Sequence, residues 1–198
     1  MSQSLLRELG PGDFITLGNA ACGTASIFCT LHALDMDRPD LLIWAMGLVP
    51  IAFVLDALDG MVARKTRGSP YGGDLDSLAD TVSFGVAPAV LGFGLGLRGG
   101  WDALILIAYV CCGIGRLARF NVTAEDMMAA REDGSGKVSH FEGTPITIGL
   151  LVVAVMAGMY FLGNDPMVVD LGWQLHPIVA VYAITGALMI SRVKIPKP

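Results

Sequence analysis

The chain has 198 residues, of which 54% are apolar and only 16% charged, and its mean hydropathy is +0.62. Soluble domains are about 45–50% apolar and about 25% charged, so this composition excludes a disordered chain and points to lipid as part of the solvent. The net charge of −5 leaves no basic surplus to neutralise phosphates, so no nucleic-acid partner is expected.

Before the first apolar stretch, Ser4-Leu5-Leu6-Arg7-Glu8-Leu9 is short and amphipathic, and reads either as a helix lying in the membrane interface or as a frayed terminus. Six windows then have the length and apolarity of a membrane crossing, at 15–35, 41–60, 76–97, 101–120, 144–163 and 168–190. Lipid leaves backbone groups no partner outside their own segment, and the small residues in these windows suit helix-to-helix packing, so each window is expected to be a helix. The first window has no A-x-A cleavage site and follows a Pro11-Gly12-Asp13 break, so it is expected to remain in the mature protein. The expected fold is thus an all-α integral membrane protein, a single domain over 1–198, with six transmembrane helices and a short amphipathic N-terminal helix.

Eleven of the thirteen basic residues fall on one side of this topology, from Arg7 through Arg64, Lys65 and Arg67 to the C-terminal lysines; Arg38 and Arg98 fall on the other. The bias places both termini and the loops around 61–75 and 121–143 in the cytoplasm. Cys22, Cys29, Cys111 and Cys112 all lie in apolar stretches, without metal-finger spacing, and read as reduced packing residues. Trp44, Trp101 and Trp173 read as interface or packing residues, and the long polar segment from Asn121 to Glu142 as a loop.

The charges inside the windows carry the functional signal. The second window ends Asp56-Ala57-Leu58-Asp59-Gly60-Met61-Val62-Ala63-Arg64, and the third begins Gly72-Gly73-Asp74-Leu75-Asp76-Ser77-Leu78-Ala79-Asp80. Asp in a membrane span costs a few kcal/mol and marks function by default. Asp56 and Asp59 are three apart and Asp76 and Asp80 four apart, so each pair shares a helix face, and two adjacent helices can converge four carboxylates. Asp74 reads as a helix cap or a solvated end residue. Such a cluster must be offset by protons or by cations, and hard divalent ions with oxygen ligands, Mg²⁺ or Mn²⁺ with Ca²⁺ as an alternative, are the economical solution. Intramembrane carboxylates also line ion paths, which leaves a cation transporter as a reading of another class.

Gly60 and Ala63 leave room for a flat ligand beside the helix backbone, and the Arg64 fork suits phosphate. Arg116 and Arg119, three apart, and Asn121 form a second polar cluster at the end of the fourth window, placed to receive a carboxylate or a lipid phosphate. Thr16 and Asn19 are candidates either for lining a nucleotide pocket or for interhelical hydrogen bonds.

The ordered set Asp56, Asp59, Gly60, Ala63, Arg64, Gly72, Asp76 and Asp80 resembles the signature of the CDP-alcohol phosphotransferase family of integral membrane enzymes. Seven residues separate Arg64 from Gly72 where the family pattern usually has eight; the aspartate spacing sets the register. The runs Leu75–Asp80 and Val82–Pro88, Gly115–Asn121 and Phe141–Pro145 look like the phosphatidylserine synthase branch of the family.

The resemblance implies attack of an alcohol on the lipid-side phosphorus of a CDP-linked lipid, with CMP leaving. It implies two divalent ions per site, Asp56, Asp59 and Asp76 as direct ligands, Asp80 sharing the second ion and acting as base, and cytidine on the Gly60, Ala63, Arg64 and Gly72 face. It also implies CDP-diacylglycerol and L-serine as substrates, with Arg116, Arg119 and Asn121 near them, and a homodimer. Other acceptors and lipids stay open on the residues alone: glycerol phosphate, inositol phosphate, or an archaeal CDP-archaeol with serine.

Overall fold

The computed structural model describes residues 9–65, 69–132, 140–142, 144–163, 167–170, 172–191 and 194–196. Four long apolar helices dominate: α1 (Pro11–Asp35), α2 (Asp40–Lys65), α3 (Gly72–Gly94) and α4 (Gly100–Glu132). Two shorter apolar helices follow, α5 (Ile146–Phe161) and α6 (Pro177–Ile190). At about 1.5 Å per residue these two are about 24 and 21 Å long, short of a hydrocarbon core of about 30 Å. The structure therefore supports a helical membrane protein with four full-length spans, and the last two of the six expected windows are only partly helical.

The sixth window departs most. Its first residues form a two-stranded hairpin, β2 (Val169–Asp170) with β3 (Gln174–Leu175), turned by Gly172 at φ +84°, and α6 begins only at Pro177. A run alternating with Leu171, Trp173 and Leu175 is apolar enough to score as a span while its backbone turns back. Pro11-Gly12-Asp13 is likewise no break: Pro11 opens α1, where its missing N–H costs nothing. Residues 121–132, expected in a loop, continue α4. The expected N-terminal helix lies in residues 1–8, outside the described residues. Strand β1 (His140–Glu142) pairs antiparallel with β4 (Lys194–Pro196).

Helix α3 is the hub. It is 61% buried across its span, against 22–28% for the other three long helices. Its middle, Thr81–Val86, is a π turn, and the cause is Pro88. Proline has no N–H to return to the carbonyl of Phe84 four residues back, and its ring crowds that carbonyl. The hydroxyl of Tyr109, on α4, donates to the Phe84 carbonyl instead at 2.6 Å, and Tyr182, on α6, donates to that of Pro88 at 2.8 Å. These two buried rings meet edge to face, 5.3 Å apart, tying α3, α4 and α6 into one core.

Helix α1 is keyed to its neighbours by small and hydroxylated residues. Ser26 donates to the carbonyl of Ala45 on α2 at 2.8 Å. Gly23 faces Ser83 so closely that a Cβ there would collide with the Ser83 backbone, and Ser83 in turn donates to the carbonyl of Asn19 at 2.9 Å. At the far end of α4, buried Asp102 accepts from the backbone N–H of Gly99 and of His176 and pairs with Nδ1 of His176 at 2.5 Å, while Trp101 packs on Trp173 of the hairpin. All four cysteines are free thiols.

Candidate active site

The second half of α2 and the first turns of α3 converge on α1, and the acidic residues converge with them. Asp56, Asp76 and Asp80 each offer a carboxylate oxygen, and these oxygens all lie within 4.8 Å of one another. At an effective dielectric of about 20, two unit charges at that range repel by about 3 kcal/mol, so the fold holds an arrangement that is unfavourable without a cation. Oxygen donors at this spacing suit a hard divalent ion.

Asp59 stands beside this trio on the wall of the same cavity, where its Oδ2 accepts a 2.7 Å hydrogen bond from Thr16. Asp80 is 6% exposed, and its Oδ1 accepts from Nδ2 of Asn19 at 3.3 Å. Both α1 side chains therefore hold carboxylates; the interhelical bond is realised for both, and Thr16 also lines the cavity. Asp74, in the first turn of α3, is exposed and apart from the cluster.

The cavity has a volume of about 260 Å³ and is walled by Asp13 and Thr16 of α1, by Asp56, Asp59, Gly60 and Ala63 of α2, and by Gly72 and Asp76 of α3. Its floor is thin because the residues are small. A Cβ on Gly12 would sit 3.6 Å from the Asp59 carbonyl and 3.7 Å from the Ala63 side chain, so α1 and α2 cross here nearly backbone to backbone. Gly72 shares the cavity with Gly60 and Ala63, so the aspartate-based register places it on that face despite the shorter loop. Arg64 belongs to the last turn of α2, and its side chain lies outside the described residues.

The second cluster is divided. Arg116 is half-buried, stacks over Phe120 at 5.2 Å and lies within electrostatic reach of Asp76 and Asp80. Arg119 turns elsewhere: it donates to the carbonyls of Met189, Ile190 and Ser191, which end α6 without helical partners. Asn121 accepts from Ser77, between Asp76 and Asp80, at 3.1 Å, and so ties α4 to the acidic stretch of α3.

Asp13 is the residue that sequence reasoning missed. It is 5% exposed and lines the cavity. An Asp three residues into a helix was legible as a first-turn acid, but the Pro-Gly before it disguised the helix start.

The model of the CDP-alcohol phosphatidyltransferase family matches residues 12–191, a stretch that includes every acidic residue of the cavity. The chain belongs to that family. Among curated proteins this family member is 40% identical to the CDP-diacylglycerol--serine O-phosphatidyltransferase of Saccharomyces cerevisiae, over 98% of this chain and 73% of that protein. It is 33% identical to the enzyme of the same name from Methanocaldococcus jannaschii, over 88% of this chain and 74% of the relative. It is 34% identical to the archaetidylserine synthase of Methanothermobacter thermautotrophicus, over 93% and 69% respectively.

Proposed function

We propose that this CDP-alcohol phosphatidyltransferase transfers the phosphatidyl group of CDP-diacylglycerol to the hydroxyl of L-serine, forming phosphatidylserine and releasing CMP. The observation that carries the reading is the convergence of Asp56, Asp76 and Asp80 within 4.8 Å, with Asp56 and Asp76 on the wall of a cavity lined also by the small residues Gly60, Ala63 and Gly72. The names of the relatives support serine as the acceptor.

Asp56, Asp59, Asp76 and Asp80 would hold two divalent ions, Mg²⁺ or Mn²⁺, the choice that hard carboxylate oxygens favour over softer metals. When bound, such ions neutralise the diphosphate and the charge that builds on the departing CMP. The chain supplies the rest. Gly60, Ala63 and Gly72 let the nucleotide approach the backbone, and Arg64 meets phosphate. Asp80, steadied by Asn19, takes the proton of the serine hydroxyl as the serine oxygen bonds to the lipid-side phosphorus and the bond from that phosphorus to the oxygen of CMP breaks. Arg116 receives the serine carboxylate; Asn121 ties its helix to the acidic stretch through Ser77, and Arg119, expected beside them, is engaged instead by the carbonyls that end α6.

The eleven-to-two distribution of basic residues supports six crossings with the site and both termini facing the cytoplasm. On that reading the family resemblance supports a homodimer in the membrane. One relative acts on an archaeal lipid by its name, so CDP-archaeol is the second donor to test.

The test is CMP release by the purified protein from labelled CDP-diacylglycerol, and from CDP-archaeol, offered serine, glycerol phosphate or inositol phosphate in turn. Release is expected with serine. Release with a phosphorylated alcohol and not with serine would overturn the acceptor assignment.

A further inference from the structure

Asp76 and Asp80 stand on one side of the π turn in α3, and the packed half of that helix, from Ala87 to Gly94, stands on the other. Each side is held by its own neighbours. Before the turn, Asp80 accepts from Asn19 of α1, and Ser77 donates to Asn121 of α4. After it, Tyr182 of α6 donates to the Pro88 carbonyl, a Cβ on Gly92 would collide with the Tyr182 hydroxyl, and one on Gly94 would collide with Thr30 of α1. The angle between the acidic side and the packed side is therefore set by the turn that joins them.

A π turn carries one residue more than the α turn it replaces. Here the N–H of Ala87 donates to the carbonyl of Val82, five residues back instead of four. Each residue of an α-helix turns the chain by about 100°, so closing this segment to α would rotate the acidic side against the packed side by about that angle. For a carboxylate about 5 Å from the helix axis, such a rotation is a displacement of roughly 8 Å. The oxygens of Asp56, Asp76 and Asp80 gather within 4.8 Å. The trio thus assembles with the π turn and would come apart in an α register that kept the same packing.

We infer that Pro88 and Tyr109 are positioning residues for the acidic trio: together they hold α3 in the π register, and the one-residue offset of that register aims Asp76 and Asp80 at Asp56. This rests on the reading that the trio binds divalent ions. Pro88 withholds the N–H that an α turn would return to the Phe84 carbonyl, and Tyr109 supplies the hydroxyl that this carbonyl takes instead, at 2.6 Å. The surroundings are shaped around that bond. Tyr109 is buried, and a Cβ on Gly149 of α5 would stand 2.7 Å from its hydroxyl and collide with the Phe84 carbonyl. Neither Pro88 nor Tyr109 lines the acidic cavity, so their effect on a bound ion passes through the backbone of α3.

The experiment compares Tyr109→Phe, Pro88→Ala and the double variant with the unchanged full chain in detergent. It reads Mn²⁺ binding by electron paramagnetic resonance, the melting temperature, and CMP release from CDP-diacylglycerol. Tyr109→Phe strands a buried carbonyl while Pro88 still forbids the α register, so it should lower the melting temperature and change Mn²⁺ affinity by less than about threefold. In the double variant residue 88 offers an N–H and the competing hydroxyl is gone, so the α register takes over. Its melting temperature should rise above that of Tyr109→Phe while Mn²⁺ affinity falls by about tenfold or more, and CMP release with it. Pro88→Ala alone, in which hydroxyl and N–H compete for one carbonyl, should fall between the two in affinity. A packing role predicts the reverse, with stability and affinity lost together and the double variant worst in both. That result, a double variant that does not fold, or a double variant within about threefold of the unchanged Mn²⁺ affinity overturns the assignment. Unchanged protein that binds no Mn²⁺ overturns the metal reading and this inference with it, an outcome told apart because it precedes any substitution.

Discussion

Asn19, on α1, donates from Nδ2 to Oδ1 of Asp80, on α3, at 3.3 Å, while its own Oδ1 is buried without a partner among the described residues. An idle buried acceptor costs about 1–3 kcal/mol, so this side chain serves the carboxylate at the expense of the fold. Asn19→Ala should accordingly leave the melting temperature unchanged or raise it. CMP release should fall by about 10- to 100-fold, the usual effect of losing a residue that orients a metal-binding or catalytic group. Equal losses of stability and turnover would mean that Asn19 is merely a packing residue.

Thr16 plays the same part for Asp59 through its 2.7 Å bond. Thr16→Val keeps the shape and removes the donor. The Mn²⁺ concentration that half-saturates CMP release is expected to rise by about tenfold, with the maximal rate changed less. Thr16→Ser, which retains the hydroxyl, should restore the original metal requirement.

The crossing of α1 with α3 at Gly23 and Ser83 sets the distance across which Asn19 reaches Asp80. A Cβ at Gly23 would collide with the Ser83 backbone, and overpacking of this kind costs about 1–3 kcal/mol. Gly23→Ala should lower the melting temperature in detergent and reduce turnover together, because the helices must part where the site is assembled. Gly158, which meets nothing within 4 Å, is the control position, and Ala is expected to be tolerated there.

The aspartate spacing made the site legible before the structure. Three- and four-residue intervals fix which carboxylates share a helix face, and that is a property of the helix itself. Which of the four would gather was not legible: Asp56, Asp76 and Asp80 form the tight trio, and Asp59 stands aside because α1 offers it a hydroxyl. The π turn at Thr81–Val86 arises from Pro88 together with Tyr109, a residue of another helix, so no local pattern announces it. Hydropathy overran the hairpin at 169–175, since a short β turn of apolar residues scores like a helix end, and it stopped short of residue 132 because a helix leaving the membrane keeps its backbone while losing its apolar signal. Arg119 looked like a partner of Arg116 by spacing, but the unpaired carbonyls of α6 draw it away.

At the opposite end of α4, Asp102 and His176 are buried as a pair, about 28 Å along the helix from Asn121. Loss of a hydrogen bond to a charged group costs about 1.5–3 kcal/mol. His176→Ala should lower thermal stability by that order and loosen the hairpin, seen as faster proteolysis near residue 172. CMP release per folded molecule, measured well below the melting temperature, should stay near that of the unchanged protein.

The central claim is that the acidic trio exists to grip divalent ions, and through them a nucleotide diphosphate. The most direct measurement is Mn²⁺ binding by electron paramagnetic resonance, with and without CDP-diacylglycerol, in the unchanged protein and in Asp56→Asn, Asp76→Asn and Asp80→Asn. The account predicts Mn²⁺ bound to the unchanged protein, tightened by the CDP-lipid, and weakened by about tenfold or more in each variant, with serine-dependent CMP release lost in parallel. Full CMP release after chelation of all divalent ions, or Mn²⁺ binding unchanged in all three variants, would contradict it.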